Sequence, residues 1–453
     1  MPIQRFYHES LYQFGQAQPS FWEASAGAPL PDWSALTGDQ HCEIAIIGGG
    51  FTGMSTALHL ARDHGNNVRV LEAGHIGWGA SGRSGGFCSV GGTKMSIKRQ
   101  IRKYGKEQTY NFFQSQADAI ALCKELIETE DMEFKPQGHG EWVVAESASH
   151  FKRLCVEAGE WGAHTPIKPT MMTQDEFARA AYEAPHQHGA MLIEPGFGLH
   201  PLRYIKGLAR AAAKYGADIS PNSEVLRWEK HNGKHRLECA NGTLTADKLV
   251  VACNGFMPEH LSPALHGYTL PLQSVLNVTR RLTDAELATY PWHDHCPAIN
   301  SPHVYVYYRL LPDNRIMIGG RGDNVGSPEG ASKTAEGIHA TFARLWPNWA
   351  HVEFEYSWRG LICFSQNFKP AFGQLPSDRS VYLGFGYHGS GVATATWFGQ
   401  QLAKWIGSKK SLKEIDIPSL YKGMPPRFPL PALRKVYGRV GLEYYLTLDK
   451  LHK

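Results

Sequence analysis

The stretch Glu43-Ile44-Ala45-Ile46-Ile47-Gly48-Gly49-Gly50-Phe51-Thr52-Gly53 constrains this chain more than any other. Its mostly apolar opening reads as a parallel strand buried on both faces. Gly48, Gly50 and Gly53 follow with the spacing G-x-G-x-x-G. Met54 to His64, rich in Ala and Leu, reads as a helix that Gly65 stops. Val68-Arg69-Val70-Leu71 is a second strand, and Glu72 ends it. An acid about 20 residues beyond such a glycine turn, in a strand–helix–strand unit, is the dinucleotide-binding pattern. Gly48 permits the tight turn, Gly50 lets backbone approach a pyrophosphate, and Gly53 lets helix and strand pack closely. The helix start, with Thr52 in it, offers free N–H groups and a positive dipole end to phosphates. Glu72 is placed to accept hydrogen bonds from ribose hydroxyls. A glycine turn alone would say little; the ordered set predicts a nucleotide site.

The next segment, Ala73-Gly74-His75-Ile76-Gly77-Trp78-Gly79-Ala80-Ser81-Gly82-Arg83-Ser84-Gly85-Gly86, is too glycine-rich for a packed element. It reads as a loop whose backbone lies against a ligand. Arg83 sits between Trp78 and Phe87, where a guanidinium can offset pyrophosphate charge.

Strand, G-x-G-x-x-G, strand ending in Glu, then G-A-S-G-R-S-G-G resembles the FAD-dependent amine and amino-acid oxidoreductases of the D-amino-acid oxidase superfamily. Within it, the likeness is greatest to the gamma-glutamylputrescine oxidoreductase branch. It runs from about Glu43 to Gly407. Later stretches that carry it are Leu249 to Gly255, Trp358-Arg359-Gly360, Pro370 to Gly373 and Val381 to Val392. The resemblance implies FAD rather than NAD, held without a covalent bond, and no metal. It implies an α/β chain in which a Rossmann-like FAD-binding domain is interleaved with an antiparallel-sheet substrate domain. On that basis residues 1–40 are a leader. Residues 41–92, 190–262 and 358–408 form the FAD domain, 93–189 and 263–357 the substrate domain, and 409–453 a tail.

Cofactor contacts are expected from Gly48, Gly50, Thr52, Gly53, Glu72 and Ala73, and from Ala80, Ser81, Arg83, Ser84, Gly85 and Gly86. Further on they are expected from Val225, Ala252, Gly255 and Gly386. Gly389, Ser390, Gly391 and Val392 open a last helix whose start is expected to face the flavin. Relatives commonly carry His where this chain has Ser390, and His388 lies two residues earlier. His388, Tyr308, Arg321 and Arg359 are the expected substrate-side residues, one Arg binding an anionic group of the substrate. Gln273 lies where some oxidases place a Lys. Oxygen or a quinone or carrier protein is therefore the acceptor, with oxygen the less favoured. Cys363 lies near a region of covalent flavin attachment in a few relatives, in a register that does not match.

The expected reaction is oxidation of the C–N bond of an anionic primary or secondary amine, gamma-glutamylputrescine-like, to an imine and then an aldehyde. The alternative is a membrane-associated dehydrogenase of a cyclic or N-methylated amino acid such as pipecolate. At 453 residues the chain has room for two domains, and a net charge of +4 gives no case for nucleic-acid binding. The eight cysteines are scattered, with no C-x-x-C, which suits a reducing compartment. Met1-Pro2-Ile3-Gln4-Arg5 leads into no apolar h-region, so a signal peptide is not expected and a cytoplasmic location is. No apolar run reaches the ~18 residues of a membrane span. The basic, aromatic tail leaves open a peripheral membrane surface or a second subunit, its own chain being the expected partner.

Overall fold

The computed structural model describes residues 3, 5–408 and 410–451; Met1, Pro2, Gln4, Lys409, His452 and Lys453, parts of the expected leader and tail, lie outside the described residues. Two eight-stranded sheets carry the chain. The first is centred on Gly38–Ile47, which pairs in parallel with Val68–Leu71 on one side and Gly242–Val251 on the other. Ile46 stands opposite both Val70 and Val250. Asp218–Ser220 and Asp378–Phe385 extend the two edges in parallel, and Ala371–Leu375 adds an antiparallel strand. A parallel strand covered on both faces has no solvent side, which is why Ile44 to Ile47 is continuously apolar and buried.

The helix Phe51–His64 follows the central strand, and its C-cap Gly65 takes the left-handed conformation at φ 64°. It packs at unusually short range against the helix Gly391–Gly407, which is not the last one as expected, since Arg434–Leu451 forms a further helix in the tail. A Cβ on Gly399 would meet Ser55 Cβ at 2.5 Å, and Ser55 Oγ donates to Thr396 O at 2.6 Å. Small residues at that crossing hold the two helix starts side by side on one end of the sheet.

The second sheet runs Phe354–Phe364, Leu270–Thr279, Ile316–Arg321, Tyr307–Leu310, Ala298–Asn300, Glu141–Val144, Ala190–Ile193 and Thr170–Met172. All its pairings are antiparallel except that of Ala298–Asn300 with Glu141–Val144. Two segments expected in the FAD domain lie here instead. Ala190–Ile193 follows its partner Glu141–Val144, and residues 358–364 follow Leu270–Thr279.

The leader is not a surface wrapping. Trp22 is 1% exposed and its Nε1 donates to Ser84 O at 2.9 Å, while the Tyr7 hydroxyl donates to Pro271 O at 2.8 Å. It therefore braces the glycine-rich loop against the second sheet. The tail folds onto its own chain, with Arg434 donating to the two Glu259 carboxylate oxygens at 2.6 and 2.7 Å. Among the described residues no helix is long and apolar enough to cross a membrane.

Candidate active site

Where the two helix starts meet the glycine loop, a cavity of about 1250 Å³ opens along the end of the first sheet. Gly48, Gly50 and Thr52 form one stretch of its wall, and Glu72, Ala73 and Val225 another. Ala80 and Ser81 come from a one-turn helix, Ala80–Arg83, inside the segment expected to be all loop, and Ser84 follows it; Ala252 follows the strand Gly242–Val251, Gly389 precedes the helix Gly391–Gly407, and Gly391 and Val392 open it. Cys253 and Asn254, not Gly255, complete the wall beyond Ala252. The helix after the glycine turn has no side-chain cap at Gly50; Ser81 Oγ accepts from Phe51 N at 2.9 Å. Glu72 holds the turn, its two oxygens accepting from Gly49 N at 2.7 Å and Gly74 N at 3.0 Å.

Four of the expected glycines shape the wall from behind. A Cβ on Gly53 would lie 1.9 Å from Gly48 O, and one on Gly86 would lie 2.1 Å from Leu199 O. Gly255 packs against Leu361, and Gly386 donates its N–H to Asn254 Oδ1 at 2.8 Å.

A second cavity of about 850 Å³ shares Ala80, Ser84, Leu361, Ile362, Gly389 and Val392 with the first and lies beneath the second sheet. Arg83, Gly85 and Ser390 line this inner chamber. Arg83 is 3% exposed, its Cζ 4.0 Å from the Trp78 ring centroid. Its Nε donates to Trp78 O and its Nη1 to Arg359 O, whereas Nη2 is buried with no partner. Burial lowers its pKa to about 9, with Glu23 and Glu72 pulling the other way. An unpaired donor on a buried cation is costly, so the site fits a bound group rich in acceptors.

The substrate-side expectations are redistributed. Tyr308 faces away from the chamber, bonded to the Tyr182 hydroxyl at 2.7 Å and packed edge-on against Trp346. Its neighbour Tyr307 lines the chamber and bonds Ser274 Oγ at 2.7 Å. A one-residue step along a strand reverses the face. Arg359 pairs with Val275, one residue off the Ser274 row, and its guanidinium donates to Gly326 O at 2.6 Å, Ser327 O at 2.9 Å and Ser10 Oγ at 2.6 Å. Arg321 stands on the Ser274 row, but at the strand's end, and turns to Asn324 Oδ1 at 2.8 Å. Neither arginine lines either cavity.

His388 is 1% exposed and lines neither cavity. Its Nδ1 stands 3.2 Å from Gly92 O, and Nε2 accepts from Ser365 N at 3.2 Å. That pattern places the proton on Nδ1. Burial lowers its pKa to about 3, so the ring is a neutral clamp. Gln273 also faces away, donating to Asp323 O at 2.9 Å.

The sequence reading assigns no site role to Ser89, Glu141, Ser274, Tyr305 or Tyr307, which line the chamber with Phe87. One signal was available. Glu141 opens the otherwise apolar strand Glu141-Trp142-Val143-Val144, and a charge on a strand buried among others asks for a reason.

A glycine-cradled nucleotide cavity opening into a chamber roofed by antiparallel strands defines a dinucleotide-dependent enzyme that brings cofactor and small substrate together. The chain belongs to the FAD dependent oxidoreductase family (DAO), which matches residues 43–405, and it is accordingly an FAD-dependent oxidoreductase. It is 27% identical over 439 residues to the gamma-glutamylputrescine oxidoreductase of Escherichia coli (strain K12), covering 95% of this chain and 98% of that protein. It is 26% identical to the probable oxidoreductase OrdL of Haemophilus influenzae, covering 92% and 94%. Among solved structures, glycine oxidase from Geobacillus kaustophilus superposes with a TM-score of 0.69 at 20% identity, over 86% of this chain and all of that one.

Proposed function

We propose that this enzyme oxidises the C–N bond of a primary or secondary amine of the gamma-glutamylputrescine kind to an imine, which water then hydrolyses to an aldehyde. FAD, held by the residues that line the first cavity, would supply the two-electron oxidation chemistry. The chain's own residues do the rest. Gly48, Gly50 and the Phe51–His64 helix start hold the phosphates. Glu72 is the group for ribose, and Arg83 Nη2 the free donor facing the cofactor's acceptors. The start of the helix Gly391–Gly407, which lines both cavities at Val392, would offer its positive dipole end to the cofactor. Tyr307, Phe87 and the leader's Trp22 behind Ser84 keep the substrate side narrow and dry.

The observation that carries this reading is a chamber rich in aromatic rings and hydroxyls, without a free arginine pair, directly joined to the nucleotide cavity. A carboxylate clamp asks for a guanidinium free for the substrate; Arg321 and Arg359 are committed elsewhere, and Arg83, in the chamber's wall, is assigned to the cofactor. Any anionic end of the substrate would therefore sit away from the reacting carbon. The cofactor is proposed to be non-covalent, since Cys363 is 1% exposed and burial pushes its thiol pKa far up, which disfavours thiolate chemistry. No lysine lines either cavity among the described residues, which supports a quinone or carrier acceptor over oxygen. The test is anaerobic addition of a panel of amines and amino acids to purified holoenzyme. Amines of the proposed kind bleach the flavin absorbance within seconds, and α-amino acids do so far more slowly. A panel in which no amine bleaches it overturns the proposal.

A further inference from the structure

Among the described residues Glu141 is the one carboxylate in the inner chamber's wall. It enters from the end of its strand, in the row of Val143 and opposite Ile193, on the face turned toward the cofactor sheet. Its hydrogen-bond partner is the Ser89 hydroxyl, itself part of the wall. Among the described residues it makes no ion pair. Lys94, the cation whose charge opposes the rise in the Glu141 pKa, is engaged by Tyr305, its Nζ 3.4 Å from the hydroxyl and 5.3 Å from that ring's centroid. Arg83, in the same wall, spends Nε and Nη1 on backbone carbonyls and keeps Nη2 for the cofactor's acceptors in the reading above. The rings of Phe87, Tyr305 and Tyr307 line the same chamber, with Phe87 and Tyr307 edge-to-face at 5.6 Å.

An unpaired carboxylate within an aromatic wall is the composition that recognises an organic ammonium. The rings attract the cation through their faces and the carboxylate neutralises it. The same carboxylate repels a substrate carboxylate placed beside it. We propose that Glu141 is the docking group for a substrate ammonium, so that the chamber admits cationic amines and rejects amines whose carboxylate lies near the nitrogen. This deepens the amine-oxidation reading and rests on it for the identity of the chamber as the substrate site. Burial raises the Glu141 carboxyl pKa to about 7, with Ser89 and Lys94 opposing, the state expected of an acid whose counter-ion arrives with the ligand.

The experiment uses holoenzyme and three probes of one shape: tert-butylammonium, pivalate and tert-butanol. None has a C–H on the carbon bearing its polar group, so none is oxidised. Binding is followed by calorimetry and by the shift of the flavin spectrum. Wild type binds tert-butylammonium at least tenfold more tightly than the other two. Glu141→Gln, checked for equal flavin content, loses that preference while its affinity for tert-butanol is unchanged. Ser89→Ala, the milder second variant, loses two- to fivefold. Equal binding of pivalate and ammonium by wild type, or an unchanged preference in Glu141→Gln, overturns the assignment. The two readings fail separately. Amines that bleach wild type and Glu141→Gln with the same apparent Kd sink the docking group and leave amine oxidation standing. A wild type that prefers the ammonium probe but is bleached by no amine does the reverse.

Discussion

Replacing Gly53 by Ala tests the cradle at its tightest point. On an ordinary helix the change would be welcome, since Ala exceeds Gly in helix propensity by about 1 kcal/mol. Here the new Cβ would stand 1.9 Å from Gly48 O, 3.1 Å from Gly48 C and 3.3 Å from Ile46 Cγ2. Two of these neighbours are backbone, so no side chain can swing aside. The helix Phe51–His64 must retreat from the strand by about 1 Å to restore ordinary contact. Its other side is fixed where Ser55 meets Gly399. Overpacking of this kind costs about 3 kcal/mol, and the net loss after the propensity gain is about 2 kcal/mol. In a chain of this size that is a fall in Tm of about 2 °C. The larger effect falls on the cofactor. The displaced turn carries the N–H groups proposed for the phosphates, so restoring their geometry draws on binding energy, and about 2 kcal/mol is a 30-fold rise in the FAD Kd. Apoenzyme titrated with FAD, followed by flavin fluorescence, reads this directly. Gly337→Ala, in the helix Pro328–Leu345 with nothing within 4 Å of its new methyl, is the control and leaves Kd unchanged. A Gly53→Ala protein with wild-type Kd and Tm would refute the close-packing argument.

Removing the orphaned donor with Arg83→Met weakens FAD binding by about 2 kcal/mol, roughly 30-fold, in the same titration; unchanged affinity would mean that Nη2 does not face the cofactor. Tyr307→Phe lowers kcat/KM several-fold by cutting its bond to Ser274, whereas Tyr308→Phe leaves kcat/KM alone and costs about 1 kcal/mol of stability through Tyr182. His388→Asn, which keeps a residue tolerant of φ +52°, lowers stability by about 1–2 kcal/mol as Ser365 N loses its acceptor. It leaves the pH profile between pH 5 and 9 in place, because a ring with pKa about 3 is neutral throughout. For Glu141 the sign is the opposite of an ordinary salt-bridged acid. Its folded pKa of about 7 lies above the ordinary glutamate value of 4.5, so the ligand-free fold is relatively favoured as pH falls from 7 toward 4.5. Ammonium binding needs the ionised form, with Lys94, Arg83, Tyr305 and Tyr307 the other titratable groups facing it. Affinity for tert-butylammonium therefore falls about tenfold between pH 8 and pH 6, and Glu141→Gln flattens that slope.

How far the sequence reveals this molecule depends on how local each constraint is. The nucleotide cradle is written in consecutive residues, because a strand, a turn without side chains and a helix start must follow one another for backbone to reach a phosphate. The second sheet is different. Its strands are covered on both faces, as the burial of Tyr307's neighbours Tyr308, Arg309 and Leu310 shows, so hydrophobic alternation does not tell which face meets the chamber. Choosing between Tyr307 and Tyr308 needs the register, and the register is set by Gly319 and Ile318 across the hairpin. Arg321 and Arg359 look free in the sequence because their partners, Asn324 Oδ1 and the carbonyls of Gly326 and Ser327, belong to a loop with no pattern of its own. Glu141 was legible only as an unexplained charge.

The departure at Ser390 has a physical explanation once the loop Gly91-Gly92 is seen beside it. A Cβ on Gly91 would lie 2.2 Å from Ser390 Oγ, so the two chain segments touch with hardly an atom to spare. A His at 390 would need that loop to withdraw. Here the loop is instead pinned from the other side, where His388 Nδ1 meets Gly92 O and Nε2 holds Ser365. The imidazole has thus become a buried strut two residues away from the helix start, and the small hydroxyl at 390 lines the chamber. Any role that a histidine at 390 plays toward a substrate is open to another residue in this protein. Glu141 lines the same chamber as Ser390.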